Sequence, residues 1–110
     1  MKDAALWLRI DLADGRVGPG KITLLEAIAK AGSISAAARS LGMSYRRAWE
    51  LVAELNQTFS SPVVERITGG AGGGGAKLTH LGEALVLGFR DIEAAASRAA
   101  AQHLRRLAKG

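Results

Sequence analysis

Two adjacent arginines, Arg46 and Arg47, follow Ser44-Tyr45 at the start of a stretch with helical periodicity. A guanidinium fork matches phosphate oxygens and the O6/N7 edge of guanine. The first turn of a helix disfavours cations, because its free N–H groups already carry positive potential. Two arginines placed there point to an anion outside the chain, though a solvated basic turn has the same composition. Ser33, Ser35 and Ser44 stand where helices begin, and a hydroxyl there either caps the helix or donates to phosphate; capping accounts for Ser44 in any case. Tyr45 lies at the edge of an apolar stripe and either packs or reaches phosphate. Lys77 and Arg66 sit at the base of a glycine-rich loop, within reach of phosphates or a minor groove. The expected contacts to double-stranded DNA are Arg46 and Arg47 on base edges, with Ser33, Ser35, Ser44, Tyr45 and Lys77 positioning phosphates. Trp49, on the flank of the same helix, is expected to pack.

Other chemistries find no support. Gly70 to Gly75 matches G-x-G-x-x-G, but five of those six residues are glycine, so the match is cheap. A dinucleotide fingerprint needs a strand before it and a helix opening at it, whereas the next helix cap is Thr79. Ala76 stands where a phosphate loop needs Lys-Ser/Thr. His80 and His103 are 23 residues apart on one helix and cannot share a metal within one chain. There is no cysteine, which excludes disulfides, thiolate metal sites and a cysteine nucleophile. No cofactor and no metal are expected, and the protein reads as a non-enzyme.

The elements that must position these residues follow from periodicity. Leu6, Leu8, Ile10 and Leu12 alternate with Trp7, Arg9 and Asp11, the pattern of a half-buried strand, and Asp14-Gly15 reads as a turn. From Ile22 the residues Leu25, Ile28 and Ala29 recur at helical spacing up to Ala31-Gly32. A short helix spans Ala36 to Leu41 and ends at Gly42. Ser44 caps a longer helix to about Phe59, whose stripe is Ala48, Leu51, Val52, Leu55 and Phe59. Val63 to Ile67 and Lys77-Leu78 read as a hairpin around the glycine loop. Thr79 caps a last helix to about Leu107.

Two helices meeting at a sharp corner need a small residue at closest approach, a glycine in the turn and apolar residues inside the corner. With Gly42 in the turn, Ala38 falls at the close approach and Ala37, Leu41, Met43, Ala48 and Leu51 point inward. The fold class is mainly α with a small β component: a winged helix-turn-helix over 1–78 and a C-terminal helix over 79–110. That last helix would run for about 42 Å. Its residues Leu81, Leu85, Gly88, Ile92, Ala95 and Ala99 follow the 4-3 spacing of a helix pair. A homodimer presenting two recognition helices to a two-fold symmetric site is expected.

The 110 residues fit one domain, and the net charge of +5 permits an anionic partner without requiring one. Ten of the fifteen basic residues are arginine, which suits phosphate and guanine but also follows from a GC-rich coding bias. The N-terminus has no apolar run long enough for a signal peptide and no stretch long enough to span a bilayer; a cytoplasmic protein without membrane contact is expected.

Several segments together resemble one family. Gly18–Ile28, Gly32–Arg39, Met43–Trp49 with Leu55-Asn56, Pro62–Glu65 with the glycines of the loop, and Leu78–Gly82 are similar to the DNA-binding domain of the ModE-type molybdate-responsive regulators. The Gly-Ser-Ile-Ser-Ala-Ala-Ala segment is shared with LysR-type regulators. The resemblance implies that Ser44, Tyr45, Arg46 and Arg47 contact DNA and that the loop glycines form a wing tip. It also implies C-terminal molybdate-binding domains, for which this sequence leaves no room, so a stand-alone DNA-binding form is expected, with no effector indicated. The reading is a sequence-specific transcriptional regulator. An architectural DNA-binding protein, or a module pairing with a full-length regulator, remains open.

Overall fold

A computed structural model describes residues 5–68 and 74–109. The chain order is β1 (Ile10–Leu12), β2 (Gly15–Val17), α1 (Pro19–Ala31), α2 (Ile34–Ser40), α3 (Tyr45–Thr58), β3 (Val64–Ile67), β4 (Gly75–Leu78) and α4 (His80–Ala108). Each strand pair forms its own two-stranded antiparallel sheet. Three helices followed by a hairpin and a long helix make a winged helix-turn-helix with an arm. The wing-tip expectation falls largely on residues 69–73, outside the described residues.

Helix α1 begins at Pro19, where the missing N–H costs nothing and the fixed φ suits a helix. It buries Ile22, Leu24, Leu25 and Ile28 and ends at Gly32. Ser33 caps α2, its Oγ accepting from the Ala36 N–H at 3.0 Å. Ser35 therefore lies inside the first turn and α2 starts two residues earlier than its sequence suggests, because Ile34 goes into the core at 7% exposure. Gly42 takes φ +68°, and the Met43 N–H turns back to the Ala38 carbonyl at 3.0 Å. Ala37, Ala38, Ala48 and Leu51 fill the corner as the turn requires. Leu41 does not: it is the C-cap of α2, its backbone N–H occupied by the α2 carbonyls, and its side chain is 36% exposed.

Helix α3 buries Ala48, Leu51, Val52 and Leu55, with Phe59 partly buried beside them. Asn56 Oδ1 accepts from the Val63 N–H at 2.8 Å, which sets the exit from α3 into β3. The wing is fastened at its other edge as well, since the Ala76 N–H donates to the Gly32 carbonyl at 2.9 Å. Its register pairs Val64 with Leu78, Glu65 with Lys77 and Arg66 with Ala76.

The N-terminal strand is shorter than its alternation suggests and has a partner the sequence did not advertise. Only Ile10–Leu12 pairs, against Gly15–Val17, around the Ala13-Asp14 turn. Val17 is buried, whereas Leu6 and Trp7 are exposed because no strand lies beside them. The Thr58 hydroxyl sits so close to Gly15 that a Cβ there would collide with it.

Thr79 caps α4, accepting from the Gly82 N–H at 3.1 Å and donating to the Pro62 carbonyl at 2.7 Å. Gly82 faces the Val63 carbonyl with no room for a side chain. Phe89, at 2% exposure, is the main anchor of α4 in the core. On the flank toward α1, Arg90 donates to both oxygens of Glu26, at 3.1 and 2.7 Å, and to Glu93 at 2.7 Å. The Arg90 hydrogen bonds hold the Glu26 carboxyl below the ordinary carboxylate range, against a smaller upward push from burial. Glu26 and then Glu93 in turn raise the Arg90 guanidinium above its usual value. The helix is 29 residues long and accounts for most of the 61 Å length of the molecule. No helix among the described residues is long and apolar enough to cross a membrane.

Candidate nucleic-acid interface

The buried stripe of α3 fixes what its other faces present. At about 100° per residue, Arg46, Ala53 and Gln57 lie opposite the stripe, with Glu50 beside them. Arg46 is at the centre of this outward face, its side chain 90% exposed and only loosely paired with Glu50 at 3.9 Å. Arg47 is also exposed, but it projects about a quarter turn away, on the flank it shares with Glu54. That flank faces Lys21, whose Nζ is 3.2 Å from Glu54. The two arginines thus share a turn and diverge in direction.

Ser44 caps α3 by accepting from the Arg47 N–H at 3.0 Å. A capping hydroxyl uses a lone pair and keeps its proton, so Ser33 and Ser44 both retain a donor for a phosphate oxygen. Ser35 is exposed and lies with Tyr45 along one cleft, which Arg66 and Gly75 complete. The structure thus groups Ser35, Ser44, Tyr45 and Arg46 around the N-terminal end of α3, and Ser33 begins the neighbouring helix.

Lys77 stands apart. Strand alternation puts Lys77 and Glu65 on the outer face of the wing, directly opposite one another, with Nζ 3.4 Å from the carboxylate. Arg66 is on the other face, the one carrying buried Val64 and Ala76, and it lines a cleft of about 420 Å³ with Trp49, Ala53, Asn56 and Gln57. Among the described residues no carboxylate comes within salt-bridge distance of Arg66. From the sequence both stand at the base of the loop and Lys77 is the expected phosphate contact; the register, invisible in the sequence, separates the two. Trp49 was expected to pack, yet it is 46% exposed on this side of α3. No cluster of metal-ligating side chains occurs among the described residues.

A helix-turn-helix is built to present its second helix to the DNA major groove. Residues 20–83 match the bacterial regulatory helix-turn-helix proteins of the lysR family. The chain belongs to that family. It is 49% identical over 84 residues to the molybdenum-pterin-binding protein MopA of Rhodobacter capsulatus, a match covering 76% of this chain and 32% of MopA. It is 50% identical over 68 residues to the DNA-binding transcriptional dual regulator ModE of Escherichia coli, covering 62% of this chain and 26% of ModE. The chain therefore spans about a third or less of the length of these relatives. The DNA-binding domain of CbnR, solved in complex with DNA, superposes with a TM-score of 0.60 at 24% identity, over 79% of this chain and 94% of that one. This lysR-family domain thus has the fold of a known DNA-binding domain, and the helix carrying Arg46 falls inside the matched region.

Proposed function

We propose that the protein is a sequence-specific, cytoplasmic DNA-binding transcriptional regulator that acts as a homodimer on a two-fold symmetric operator. The observation that carries this reading is the outward face of α3, where Arg46 is 90% exposed at the centre with a donor-rich turn around it. Helix α3 enters the major groove N-terminus first. Arg46 reads a guanine edge, and Arg47 reads or brackets the neighbouring position from the Glu54 side. Ser33, Ser35, Ser44 and Tyr45 set the register on phosphates, and Lys77 approaches a phosphate from the outer wing face.

Dimer formation rests on α4. Its own domain buries Gly82 and Phe89 and packs Leu85 of the 4-3 stripe against the core, while other residues of that stripe stay exposed. Leu81 and Ile92 on that stripe are 36% and 46% exposed. Leu85, Gly88 and Ile92 form one wall of an apolar cleft of about 240 Å³ whose other wall is Ile10, Leu12 and Phe59. A second α4 laid on this face would remove that surface from water, the dominant favourable term in association. Residues 1–78 then serve as the DNA-reading unit and 79–110 as the dimerisation arm. The likeness to ModE, a DNA-binding transcriptional dual regulator, supports operator reading as the property we assign, rather than molybdenum-pterin binding.

The test is selection from random duplex DNA with the purified protein at physiological salt, followed by sequencing. The expected result is an enriched motif with two-fold symmetry. Binding without enrichment would replace this reading with an architectural role, and no binding at all would replace it with a protein-pairing role.

A further inference from the structure

Resting on the DNA-binding reading above, we infer that the outer half of α4 holds a second segment of duplex DNA by its phosphates, without regard to sequence, while α3 reads the operator. The protein then joins two segments of DNA. Charge is divided unevenly along the chain. Residues 1–93 carry eleven basic and ten acidic side chains, and residues 94–110 carry four basic and no acidic ones. Nearly all of the net charge of +5 therefore lies on the arm, and the reading head is close to neutral.

The four are Arg98, Arg105, Arg106 and Lys109, all exposed. The ion pairs that α4 makes, at His80 and Arg90, fall on its inner half. Cations near a helix C-terminus also answer the helix dipole, but that effect fades within the last turn. It does not reach Arg98, and it does not require a single face. At about 100° per residue, Arg98, Arg105 and Lys109 fall within about 40° of one another, with Arg106 on the next flank. Their face lies about a quarter turn from the centre of the 4-3 stripe, so pairing of two α4 helices leaves it open.

Its position sets it apart from the operator. Helix α4 starts at Thr79, tied to Pro62 and Val63 just past the C-terminal end of α3. Arg46 lies near the other end of α3, about 20 Å away along that helix. Beyond Phe89, the last buried residue of α4, the arm runs on for about 29 Å. The chemistry of the face selects the occupant. Three of its four cations are arginines, whose forks take phosphate oxygens in pairs. Arg98 and Arg105 are about 10.5 Å apart along the helix, close to the roughly 12 Å width of the major groove, so one helix laid across that groove meets a strand with each. Between residues 94 and 109 the face carries no aromatic or large aliphatic side chain to anchor a protein partner, and backbone binding needs none.

The experiment immobilises an operator recovered by the selection above and loads the purified full chain until both half-sites are occupied. A labelled duplex lacking the motif is then added, with operator occupancy followed on the same surface. The wild-type protein is expected to retain the second duplex, with an affinity that falls roughly a hundredfold between about 50 and about 200 mM salt, as four phosphate contacts require. A variant combining Arg98→Gln, Arg105→Gln, Arg106→Gln and Lys109→Gln should load the operator with the same sequence preference and hold the second duplex at least roughly tenfold less tightly. Arg98→Lys, Arg105→Lys and Arg106→Lys together keep the charge and should keep most of the retention, which separates charge from folding. Equal retention by the wild type and the glutamine variant would overturn the inference, as would no retention by the wild type. Retention of a labelled poly-glutamate peptide in place of DNA would assign the face to an acidic protein and overturn it too. In each of these cases the operator stays loaded and the DNA-reading role stands. An operator that never loads would overturn both.

Discussion

The two hairpins are built alike and used differently. Each is a two-stranded antiparallel ribbon of three or four residues a strand, too small to stand alone, and each is held against the helices. The first is fastened near the C-terminal end of α3, where Thr58 Oγ1 reaches the Asp14 carbonyl at 3.3 Å and Gly15 packs under the same side chain. Its apolar residues Ile10 and Leu12 turn toward α4 and complete an apolar cleft. The second is fastened through Asn56, Gly32 and Thr79 and turns Arg66 toward the exposed side of α3. The same local geometry therefore yields an apolar wall facing α4 in one case and a cationic edge along α3 in the other. The difference comes from which residue types fall on the inward register, not from the strands themselves.

If the first hairpin is an assembly wall, the largest effect should come from spoiling its cleft. Ile92→Asp puts a charge on the face that α4 shares with Ile10 and Leu12. The variant should sediment as a monomer and lose roughly a hundredfold or more in operator affinity, the benefit of bivalent attachment. A dimeric Ile92→Asp protein would show that the cleft is not the contact. Next in size, Gly15→Ala forces a methyl into the Thr58 hydroxyl and should cost about 1–3 kcal/mol of stability by denaturant melting. The folded fraction should keep its sequence preference, because the proposed DNA contacts lie on other elements. On the reading side, Arg46→Ala should lose about 1–3 kcal/mol of discrimination at one base position per half-site, measured by competition among duplexes, with little change in melting. A uniform loss across sequences would reduce Arg46 to a phosphate contact.

A smaller effect tests how α4 is held so that its stripe faces the cleft. Glu26 titrates below its ordinary 4.5 because Arg90 donates to it. Its contribution to stability is therefore complete above that value and is lost as pH falls through the lower folded-state value. Both side chains are about 40% exposed, so solvent screening limits the gain to roughly 1 kcal/mol or less. Glu26→Gln should melt slightly lower at pH 7 and converge on the wild type as the pH falls below that range, which thermal melts against pH would check. The smallest effect should be Lys77→Ala, whose charge is shared with Glu65 on the outer face. Its loss of affinity should be clearly less than that of Arg66→Ala; an equal or larger loss would mean the outer wing face also meets the backbone.

Most of the helical frame was legible because its signals are local. Ser44, Gly42 and Thr79 announce their caps and turn within three or four residues, and the α3 stripe repeats over about three turns. The β2 strand was not legible: three residues containing a glycine carry no period, and their pairing depends on contact with Thr58, far along the chain. Leu41 was assigned to the corner by spacing alone, and the cap geometry turned it out. In the site, the outward position of Arg46 follows from helical arithmetic. The separation of Arg66 from Lys77 depends on cross-strand register, which no single strand encodes. Ser35 lost its capping place to Ser33 because Ile34 was needed inside, a competition settled by packing rather than by capping preference.

The most direct test of the central claim, that α3 reads guanine in the major groove through Arg46, is methylation interference at guanine N7 on a selected duplex. One guanine in each half-site is expected whose methylation blocks the wild-type protein and is without effect on Arg46→Ala. Interference that is absent, or identical for both proteins, would contradict it.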